Sequence, residues 1–573
     1  SSLLLTDMLA IDLLLPSMVE TQLGEYQLNE PNCSFPEFLA TSGTLIRTLS
    51  GRHPDSCLVV LGNQRYTYRQ IDEASQQLAC GLIAAGCGKG SRIGLLAPNG
   101  PDWIIGWLAA TRIGALVALL NTYDKARELE RNLRLADVQI LLCVQRHLSH
   151  DYLMRLEEIA PAISDQASGD LRVPALPFLR SVYCFGESDR TWVTSTSELI
   201  VLGSSVSQEL LVAIEEQVVP ADPMVIVFSS GSTTEPKGVV HGHGAVVRHA
   251  HNLSQFRDLR INDVVYSSMP LFWVGGLSYT LIAVMHVGAA LLTEDQFEPG
   301  ETLALIERER CTHVLGWPHV AKALADHPTF FQRDLSSIRN GSLGLPLANG
   351  ALAIDPSRRP NALGMTETLG PHTLEREGSE LSEGQIGSFG RSVPGVEHRV
   401  VDPLTGSDVE NGEFGELWVR GYSLMQQLYK RERADTFTPD GWYRTGDGGF
   451  FDSDGHFYFK GRLGEQIKSS GMNITPGEVE IVLEEIDEVM MAFVVGVSSR
   501  DRGQDVVAAV VPKSGREIDI SQLIPLLGKA LASYKVPRHI LIIADPTGLP
   551  WLVSGKVDRR ALQGRLEQQF GLG

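Results

Sequence analysis

The chain has 573 residues, of which 43% are hydrophobic, and its formal net charge is −20. A chain of this size and composition can bury several hydrophobic cores, so we expect two or more domains. The negative charge, without any run of Lys or Arg, argues against binding to nucleic acid or to an anionic membrane surface.

Cysteine usage and apolar segments bear on the compartment. The seven cysteines are odd in number and form no CxxC pair, which predicts free thiols in a reducing, cytoplasmic environment. The apolar N-terminal segment carries Asp7 and Asp12 and lacks a basic region, so we do not interpret it as a signal peptide. We expect an amphipathic helix there, with peripheral membrane contact as the alternative, and no transmembrane helix.

The first predicted elements alternate between helix and strand. Ile71, Ala74, Leu78 and Leu82 recur at helical spacing, and Gly86 supplies a stop. A short apolar strand follows at 92–97, then a helix that Asn99-Gly100-Pro101 opens with Pro in its first turn, then a strand at 117–120. This succession predicts an α/β fold with a parallel, helix-covered sheet.

Residues 222–251 repeat this pattern around a loop of small hydroxyl residues. An apolar strand leads into the loop, which Pro236-Lys237-Gly238 closes. Backbone N–H groups, hydroxyls and one ammonium group can together wrap a polyphosphate. The spacing is not that of a Walker A loop, and a polar surface turn is the alternative interpretation. The loop begins Ser229, Ser230, Gly231, Ser232, Thr233, Thr234.

The pattern changes in the C-terminal third of the chain. Beyond about residue 385, short strands alternate with Gly-rich turns, which is typical of a small barrel. Residues 461–465 are the expected linker. A predicted helix at 478–485 and predicted strands at 492–497 and 506–511 then indicate a C-terminal α+β domain.

Four segments outside the loop occur in a characteristic order. They are LGMTET at 363–368, WYRTGD at 442–447, GRLGEQIKSSGMNITPGEVE at 461–480 and SGKVDRRAL at 554–562. Together with the loop, they resemble the acyl-adenylate-forming superfamily, in its acyl-CoA synthetase branch. The resemblance covers nearly the whole chain.

The resemblance implies a particular domain organisation. A large N-terminal domain of helix-covered parallel sheets with a small β-barrel subdomain would span 1–460. A hinge would occupy 461–466, with Gly464 at the hinge position. A small mobile α+β domain carrying the catalytic lysine would span 467–573.

The implied reaction has two steps. A carboxylic acid and ATP give an acyl adenylate and pyrophosphate, and CoA then takes the acyl group and releases AMP. The reacting groups are anionic, so catalysis depends on alignment and charge neutralisation. The resemblance assigns Glu367 to Mg²⁺, Thr366 to the α-phosphate, and Lys556 to the carboxylate and α-phosphate.

The resemblance also implies which residues bind the substrates. Asp447 would accept the ribose hydroxyls, a role that suits two carboxylate oxygens. The predicted ATP-binding residues are Ser229, Ser230, Gly231, Ser232, Thr233, Lys237, Asp447, Arg462 and Lys468. The predicted acyl pocket contains His243, Trp273, Gly275 and Gly364, and the predicted CoA tunnel contains Ser470 and Gly471.

Four positions depart from the common family pattern. Thr234 stands where a glycine usually closes the loop, and Gly464 stands where an Asp or Lys hinge is usual. Leu363 replaces an aromatic residue that often stacks on adenine, and residues 344–346 differ from the usual adenine contact. None of these departures removes a charged catalytic group.

Several functional alternatives remain open from the sequence. We expect an apolar acid, fatty or alicyclic, because the pocket segments offer no evident partner for an amino group. The alternatives to an acyl-CoA synthetase are a ligase that loads a separate carrier protein and a non-catalytic acyl or nucleotide sensor. A luciferase is disfavoured because Trp273 lies where luciferases carry paired histidines. A homodimer is also left open.

Overall fold

The computed structural model describes residues 34–229, 236–316, 318–340, 361–403, 405–463, 467–469, 472–474, 476–499, 502–531, 535–551 and 557–572. The α-helices in these ranges are α1 (Ser42–Arg52), α2 (Tyr68–Ala84), α3 (Pro101–Arg112), α4 (Ala126–Leu135), α5 (Tyr152–Ile159), α6 (Thr196–Leu202), α7 (Gln208–Glu216), α8 (His243–Phe256), α9 (Ala283–His286), α10 (Pro299–Arg308), α11 (Pro318–Ala325), α12 (Arg433–Thr436), α13 (Pro476–Glu484), α14 (Ile520–Ala530) and α15 (Arg559–Phe570).

The strands of the N-terminal part are β1 (Cys57–Leu61), β2 (Gln64–Thr67), β3 (Arg92–Leu96), β4 (Leu116–Leu119), β5 (Ile140–Val144), β6 (Arg146–His147), β7 (His150–Asp151), β8 (Ser181–Phe185), β9 (Thr194–Ser195), β10 (Pro223–Ser229), β11 (Lys237–Gly242), β12 (Val264–Ser267), β13 (Ala290–Thr293) and β14 (His313–Leu315). The later strands are β15 (Leu363–Met365), β16 (Gly370–Leu374), β17 (Arg391–Ser392), β18 (Val396–Val401), β19 (Gly415–Gly421), β20 (Gln427–Leu428), β21 (Tyr443–Phe451), β22 (Phe457–Arg462), β23 (Ile467–Ser469), β24 (Met472–Ile474), β25 (Val489–Ser499), β26 (Gly503–Pro512) and β27 (His539–Ile542).

Two sheets form the frame of the N-terminal part. The larger has eight strands in the order β20-β11-β10-β4-β3-β5-β8-β9, and its strands from β10 to β9 are parallel. The smaller has the order β14-β12-β13-β1-β2, with only the β1–β2 pair antiparallel. The predicted parallel, helix-covered α/β architecture is confirmed.

A layer of helices lies between these sheets and carries the main core. One cluster of buried side chains combines both sheets with α1, α2, α3, α8 and α9. The predicted helix after residue 70 is α2, and it buries Ile71, Leu78 and Leu82 on one face. The chain leaves this helix through Gly86 at φ +83°, a backbone conformation that favours glycine. The predicted start of α3 at Pro101 is also observed.

The region expected to form a small barrel contains two antiparallel sheets. One has the order β15-β16-β17 and the other β18-β19-β21-β22. A bridge between Arg391 and His456 joins them, and β17 runs directly into β18. These two sheets begin at β15, ahead of the expected limit near residue 385, and carry the LGMTET and WYRTGD segments. We call them the barrel-like subdomain, and a closed barrel stays a prediction.

The C-terminal region is a separate α+β domain. Its sheet has the order β24-β23-β26-β25, and β27 pairs in parallel with β26. Helices α13 and α14 cover one face through a cluster that includes Val479, Leu483 and Leu527. Helix α15 packs on the other face through Leu562 and Leu566. The predicted helix and two long strands of this domain are therefore observed as α13, β25 and β26.

Within the described ranges, no single helix has the length and apolar character needed to cross a membrane. The segments Thr196–Ser205 and Gln208–Glu216 reach that threshold only as a pair joined across a bend of 98°. The described cysteines, from Cys57 to Cys311, all carry free thiols.

Candidate active site

The phosphate-loop segment is held at both ends by a strand hairpin. Strand β10 ends at Ser229, β11 begins at Lys237, and these two residues are paired in the antiparallel ladder. The Oγ atom of Ser229 is buried, and no described residue hydrogen-bonds to it. A buried hydroxyl of this kind calls for a partner, which a bound phosphate can supply. The predicted contacts Ser230, Gly231, Ser232 and Thr233 lie outside the described residues.

The TET segment forms a short 3₁₀ turn, Thr366–Thr368, between β15 and β16. Leu369 leaves the turn at φ +62°, and the Thr368 hydroxyl donates to the carbonyl of Gly370 at 2.9 Å. The side chain of Glu367 is buried within this turn, with 7% of the residue exposed. Local hydrogen bonding therefore fixes the direction of a carboxylate that the sequence alone places only on a loop.

Two contacts tie Glu367 to the barrel-like subdomain. The backbone N–H of Met425 donates to the Glu367 carbonyl at 2.8 Å, and the Tyr443 hydroxyl donates to its Oε1 at 3.3 Å. Burial, and then the adjacent Glu367 carboxylate, raise the pKa of Tyr443, so this phenol stays protonated as a donor. Tyr443 belongs to the WYRTGD segment, so two motifs about eighty residues apart meet here.

Asp447 and Arg462 face each other across the β21–β22 hairpin. The two residues are register partners, and Nε of Arg462 lies 2.7 Å from Oδ1 of Asp447. The Asp447 side chain is 4% exposed and the Arg462 side chain 48% exposed. The Thr445 hydroxyl accepts from the Asp447 N–H at 3.0 Å, and the Thr445 carbonyl accepts from Nη1 of Arg462 at 3.2 Å. The pair thus presents a held carboxylate beside a guanidinium that reaches solvent.

His241, which the sequence did not single out, connects the phosphate-loop strand to the TET turn. Its Nε2 lies 2.8 Å from the carbonyl oxygen of Thr366. The ring is fully buried, and burial lowers the pKa of His241 to about 4. The imidazole is therefore neutral near pH 7, and Nε2 carries the hydrogen because a carbonyl oxygen can only accept. No motif marked this residue, since its partner lies 125 residues away.

His243, predicted to line the acyl pocket, lies at the far end of this hairpin from the phosphate loop. It begins α8 directly after Gly242, which pairs with Pro223 at the start of β10. The backbone N–H of Ser42 donates to Nδ1 of His243 at 3.2 Å, and burial lowers the pKa of the ring to about 4. His243 is therefore separated from Ser229 and Lys237 by the length of β11, and its place in the acyl pocket stays a prediction.

Trp273 stands on the turn that follows β12. Its ring is half-buried and lies edge-on to Phe272, with 5.3 Å between ring centroids. The side-chain amide of Asn99 holds this turn, because it donates to the Met269 carbonyl and accepts from the Leu271 N–H, both at 2.8 Å. The sequence indicated Asn99 only as part of a helix start, so its role in fixing the turn was missed.

The two predicted pocket glycines occupy places with little room for a side chain. Gly275 begins a π-helix, Gly275–Ile282, and a Cβ there would lie 3.1 Å from Sδ of Met269. A Cβ on Gly364 would lie 2.5 Å from the Gly370 carbonyl carbon, which is closer than packing allows. The neighbouring Leu363 packs on the core of the barrel-like subdomain.

The remaining predicted residues belong to the C-terminal domain. The backbone of Lys468 lies in β23, paired with Asn473, and its side chain is not described. Gly464, Ser470, Gly471 and Lys556 lie outside the described residues, as do Thr234 and residues 344–346. The segment that carries Lys556 is flanked by Trp551 and Val557, which form a β-bridge.

The donor set fits Mg²⁺ bound together with a nucleotide. In the described part of the chain, no group of three or more His, Cys, Asp or Glu side chains is placed to hold a metal ion. Mg²⁺ keeps several waters and needs only one or two carboxylates alongside substrate phosphates. Glu367 is suited to supply one such carboxylate, because Tyr443 holds it near the hairpin that carries the Ser229 hydroxyl, for which the described residues offer no partner.

The fold and the grouped motifs define an acyl-adenylate-forming protein of the acyl-CoA synthetase branch. The family model described as AMP-binding enzyme matches residues 47–429, and that of the AMP-binding enzyme C-terminal domain matches residues 478–556. The first match spans more than half of the chain, which therefore belongs to the AMP-binding enzyme family.

Relatives and solved structures agree with this assignment. The mitochondrial medium-chain acyl-CoA ligase ACSF2 of Danio rerio is 28% identical over 94% of this chain and 90% of its own length. The indoleacetate–CoA ligase of Aromatoleum aromaticum is 28% identical, with 89% and 94% covered. The crystal structure of the anthranilate CoA ligase AuaEII with anthranoyl-AMP has a TM-score of 0.77 at 24% identity, covering 95% of this chain and all of that chain; at this identity the likeness concerns the fold alone.

These findings establish the reaction class. The protein is an AMP-forming acid–CoA ligase, and ATP and CoA are its co-substrates. Enzymes of this family also use Mg²⁺ with the nucleotide.

Proposed function

We propose that this ligase activates an acid with an apolar body, converting it with ATP to an acyl adenylate and then to the acyl-CoA thioester. The observation that carries this proposal is a continuous set of contacts between the motifs. The loop strand β11 contacts Thr366 through His241, and Glu367 contacts Tyr443. Tyr443 begins β21, which contains Asp447, and Asp447 pairs with Arg462 on β22. Phosphate, metal and ribose groups of one nucleotide need such neighbours.

Each contact group has a chemical role in this proposal. Ser229, Lys237 and the loop between them bind the phosphates, while Thr366 contacts the α-phosphate. Glu367 would hold Mg²⁺, which would supply positive charge to neutralise the pyrophosphate. Asp447 accepts the ribose hydroxyls with Arg462 beside it, and Lys468 adds a further cation. Lys556 bridges the acid carboxylate and the α-phosphate.

The apolar substrate is supported by the surroundings of Trp273. Its turn and the following π-helix pack against the main core, with Met269, Val274 and Tyr279 partly buried there. The acids in the names of the two ligases compared above, medium-chain acids and indoleacetate, also have apolar bodies. Trp273, Gly275, Gly364 and His243 are the residues we assign to this pocket.

The thioester step is assigned to the C-terminal domain. The domain limits remain 1–460, 461–466 and 467–573, and Gly464 permits the domain to turn between the two steps because glycine allows a wide range of backbone angles. Ser470 and Gly471 then line the path of the pantetheine arm. A cytoplasmic location and a homodimer are further predictions; the Danio rerio relative is a mitochondrial protein.

The test is pyrophosphate release with ATP and Mg²⁺ across a panel of acids, with and without CoA. Octanoate, cyclohexanecarboxylate and indoleacetate represent apolar acids, while malonate and leucine represent charged competitors. We expect release with apolar acids and acyl-CoA only when CoA is present. Lys556→Ala should lower the first-step rate at least about 10²–10³-fold, and Lys513→Ala, an exposed lysine of the same domain, should not.

Three other outcomes would contradict parts of this proposal. Preferred release with malonate or leucine would show that the apolar assignment is wrong. An acyl adenylate that forms but never transfers to CoA would favour a carrier protein as acceptor. An unchanged rate in Lys556→Ala would remove this lysine from the first step.

A further inference from the structure

His241 makes one hydrogen bond in the described part of the chain, and it is directed at the TET turn. Its Nε2–H donates to the Thr366 carbonyl at 2.8 Å, while no described residue pairs with its buried Nδ1. An unpaired buried nitrogen is unfavourable, and a leucine of similar volume would avoid that cost. The feature that distinguishes the histidine from a leucine here is therefore its bond to Thr366.

The strand that carries His241 also carries the lysine of the phosphate loop. Side chains alternate along a strand, so Lys237, Val239 and His241 point to the same face of β11. Val239 packs in a cluster with Met425 and Tyr443, the two residues that contact Glu367. One face of β11 thus holds a phosphate-binding group at its start and the TET turn at its end.

We propose that His241 is a positioning residue that fixes the Thr366–Thr368 turn to the phosphate-loop strand, so that Glu367 and Lys237 address the same polyphosphate. This inference rests on the proposed function, because it presupposes the roles of Thr366 and Glu367. His241 is fully buried, and we assign it no contact with the substrate. It acts on the reaction by holding the carbonyl of the residue that precedes the metal-binding carboxylate.

A purely structural role is the competing explanation, and His286 offers a matched control. His286 is a half-buried imidazole whose Nε2 also donates to a backbone carbonyl at 2.8 Å, that of Val247 in α8. Its contact has no connection to the TET turn. Replacing either ring by leucine removes one hydrogen bond to a backbone carbonyl, but only His241→Leu removes the bond to Thr366.

The experiment compares His241→Leu, His241→Gln and His286→Leu in the full chain, with Glu367→Gln as the reference for the turn. Readouts are the melting temperature and, with a saturating acid, the kcat of pyrophosphate release and the Mg²⁺ concentration at half-maximal rate. We expect His241→Leu to lower kcat about 10–100-fold, as small misplacements of reacting groups do, and to raise the Mg²⁺ requirement. His241→Gln, which keeps a donor near Nε2, should recover most of both. His286→Leu should lower only the melting temperature.

The outcomes distinguish the positioning role of His241 from the proposed function on which it rests. If Glu367→Gln impairs the reaction while His241→Leu keeps kcat and Mg²⁺ dependence within twofold of the parent, the positioning role is wrong and the proposed function stands. Equal losses of kcat in His241→Leu and His286→Leu would likewise show that His241 has only a structural role. If Glu367→Gln has no effect, the assignment of the TET turn fails, and the inference fails with it.

Discussion

At the scale of single residues, the site combines a buried carboxylate with a half-exposed cation. Asp447 is held by the Thr445 hydroxyl and by Arg462, and its side chain is almost entirely removed from solvent. A carboxylate in this state offers two acceptor oxygens in a fixed direction. The exposed face of Arg462 leaves room for a ligand next to the pair, which is the geometry expected for a ribose beside a phosphate.

Asp447→Asn tests this interpretation. The amide keeps the shape of the side chain but offers one acceptor oxygen in place of two and loses the charge that pairs with Arg462. Hydrogen bonds to charged groups contribute about 1.5–3 kcal/mol, so we expect KM for ATP to rise about 10–100-fold, with a smaller change in kcat. ATP titrations of pyrophosphate release measure both constants.

The control for this variant lies at the other end of the same hairpin. Asp452 accepts backbone hydrogen bonds from Asp454 and His456 and lies at the turn between β21 and β22. Asp452→Asn should leave KM for ATP close to the parent value. An equal rise in both variants would mean that the hairpin was disturbed and that Asp447 has no direct part in binding ATP.

At the scale of elements, helix α2 illustrates what a sequence pattern can and cannot predict. The apolar residues at helical spacing identified the helix and its buried face. The same face carries Asp72 and Ser75, which contact the fully buried guanidinium of Arg112 from α3. The pattern could not predict this polar contact, because its partners come from another helix and only the packed fold brings them together.

This buried charge cluster makes a strong prediction for stability. Glu215 of α7 accepts from Nε of Arg112 at 2.6 Å and also pairs with Arg47 of α1. Glu215→Gln leaves the buried guanidinium with reduced compensation, which typically costs about 3–5 kcal/mol. Urea denaturation should show a loss of this order in the free energy of unfolding. Glu37→Gln, which breaks an exposed pair with Arg52, should cost little, and similar losses in both would contradict the prediction.

At the scale of the whole molecule, the motifs were predictable and their contacts were not. Ser229, Glu367 and Asp447 could be proposed as site residues because functional loops use residues with distinctive chemistry at fixed spacing. The bonds from His241 to Thr366 and from Tyr443 to Glu367 join distant parts of the chain, and no local pattern encodes them. The place of His243 has the same origin, because β11 runs back along β10 and so separates His243 from the phosphate loop that it follows closely in sequence.

Buried histidines give the whole molecule a pH-dependent stability. Burial holds their folded-state pKa values far below the ordinary value of about 6.5, at about 3 for His286. The native state therefore stays unprotonated while the unfolded chain takes up protons below about pH 6.5, so stability falls as the pH decreases. Burial raises the pKa of Asp124 to about 6. This group has the opposite effect, because the folded state takes up its proton first and stability rises as the pH decreases. Burial also lowers the pKa values of other histidines: to about 4 for His241, His243 and His313, to about 3 for His249 and His398, and well below the ordinary value for His372.

The contribution of one ring can be measured with His286→Leu. Between about pH 4.5 and 6, a neutral buried histidine makes the free energy of unfolding fall by about 1.4 kcal/mol per pH unit of acidification. Removing the ring should flatten the pH dependence by about that amount, even though the variant is less stable near pH 7.5 because its bond to Val247 is lost. Urea denaturation at pH 7.5, 6.0 and 5.0 yields the slope for the parent and the variant. Parallel slopes would show that His286 takes up protons equally in both states, and a steeper slope in the variant would reverse the sign of the argument. The carboxylates with lowered pKa values do not obscure the result, because protonating them lowers the free energy of unfolding only below about pH 4.5.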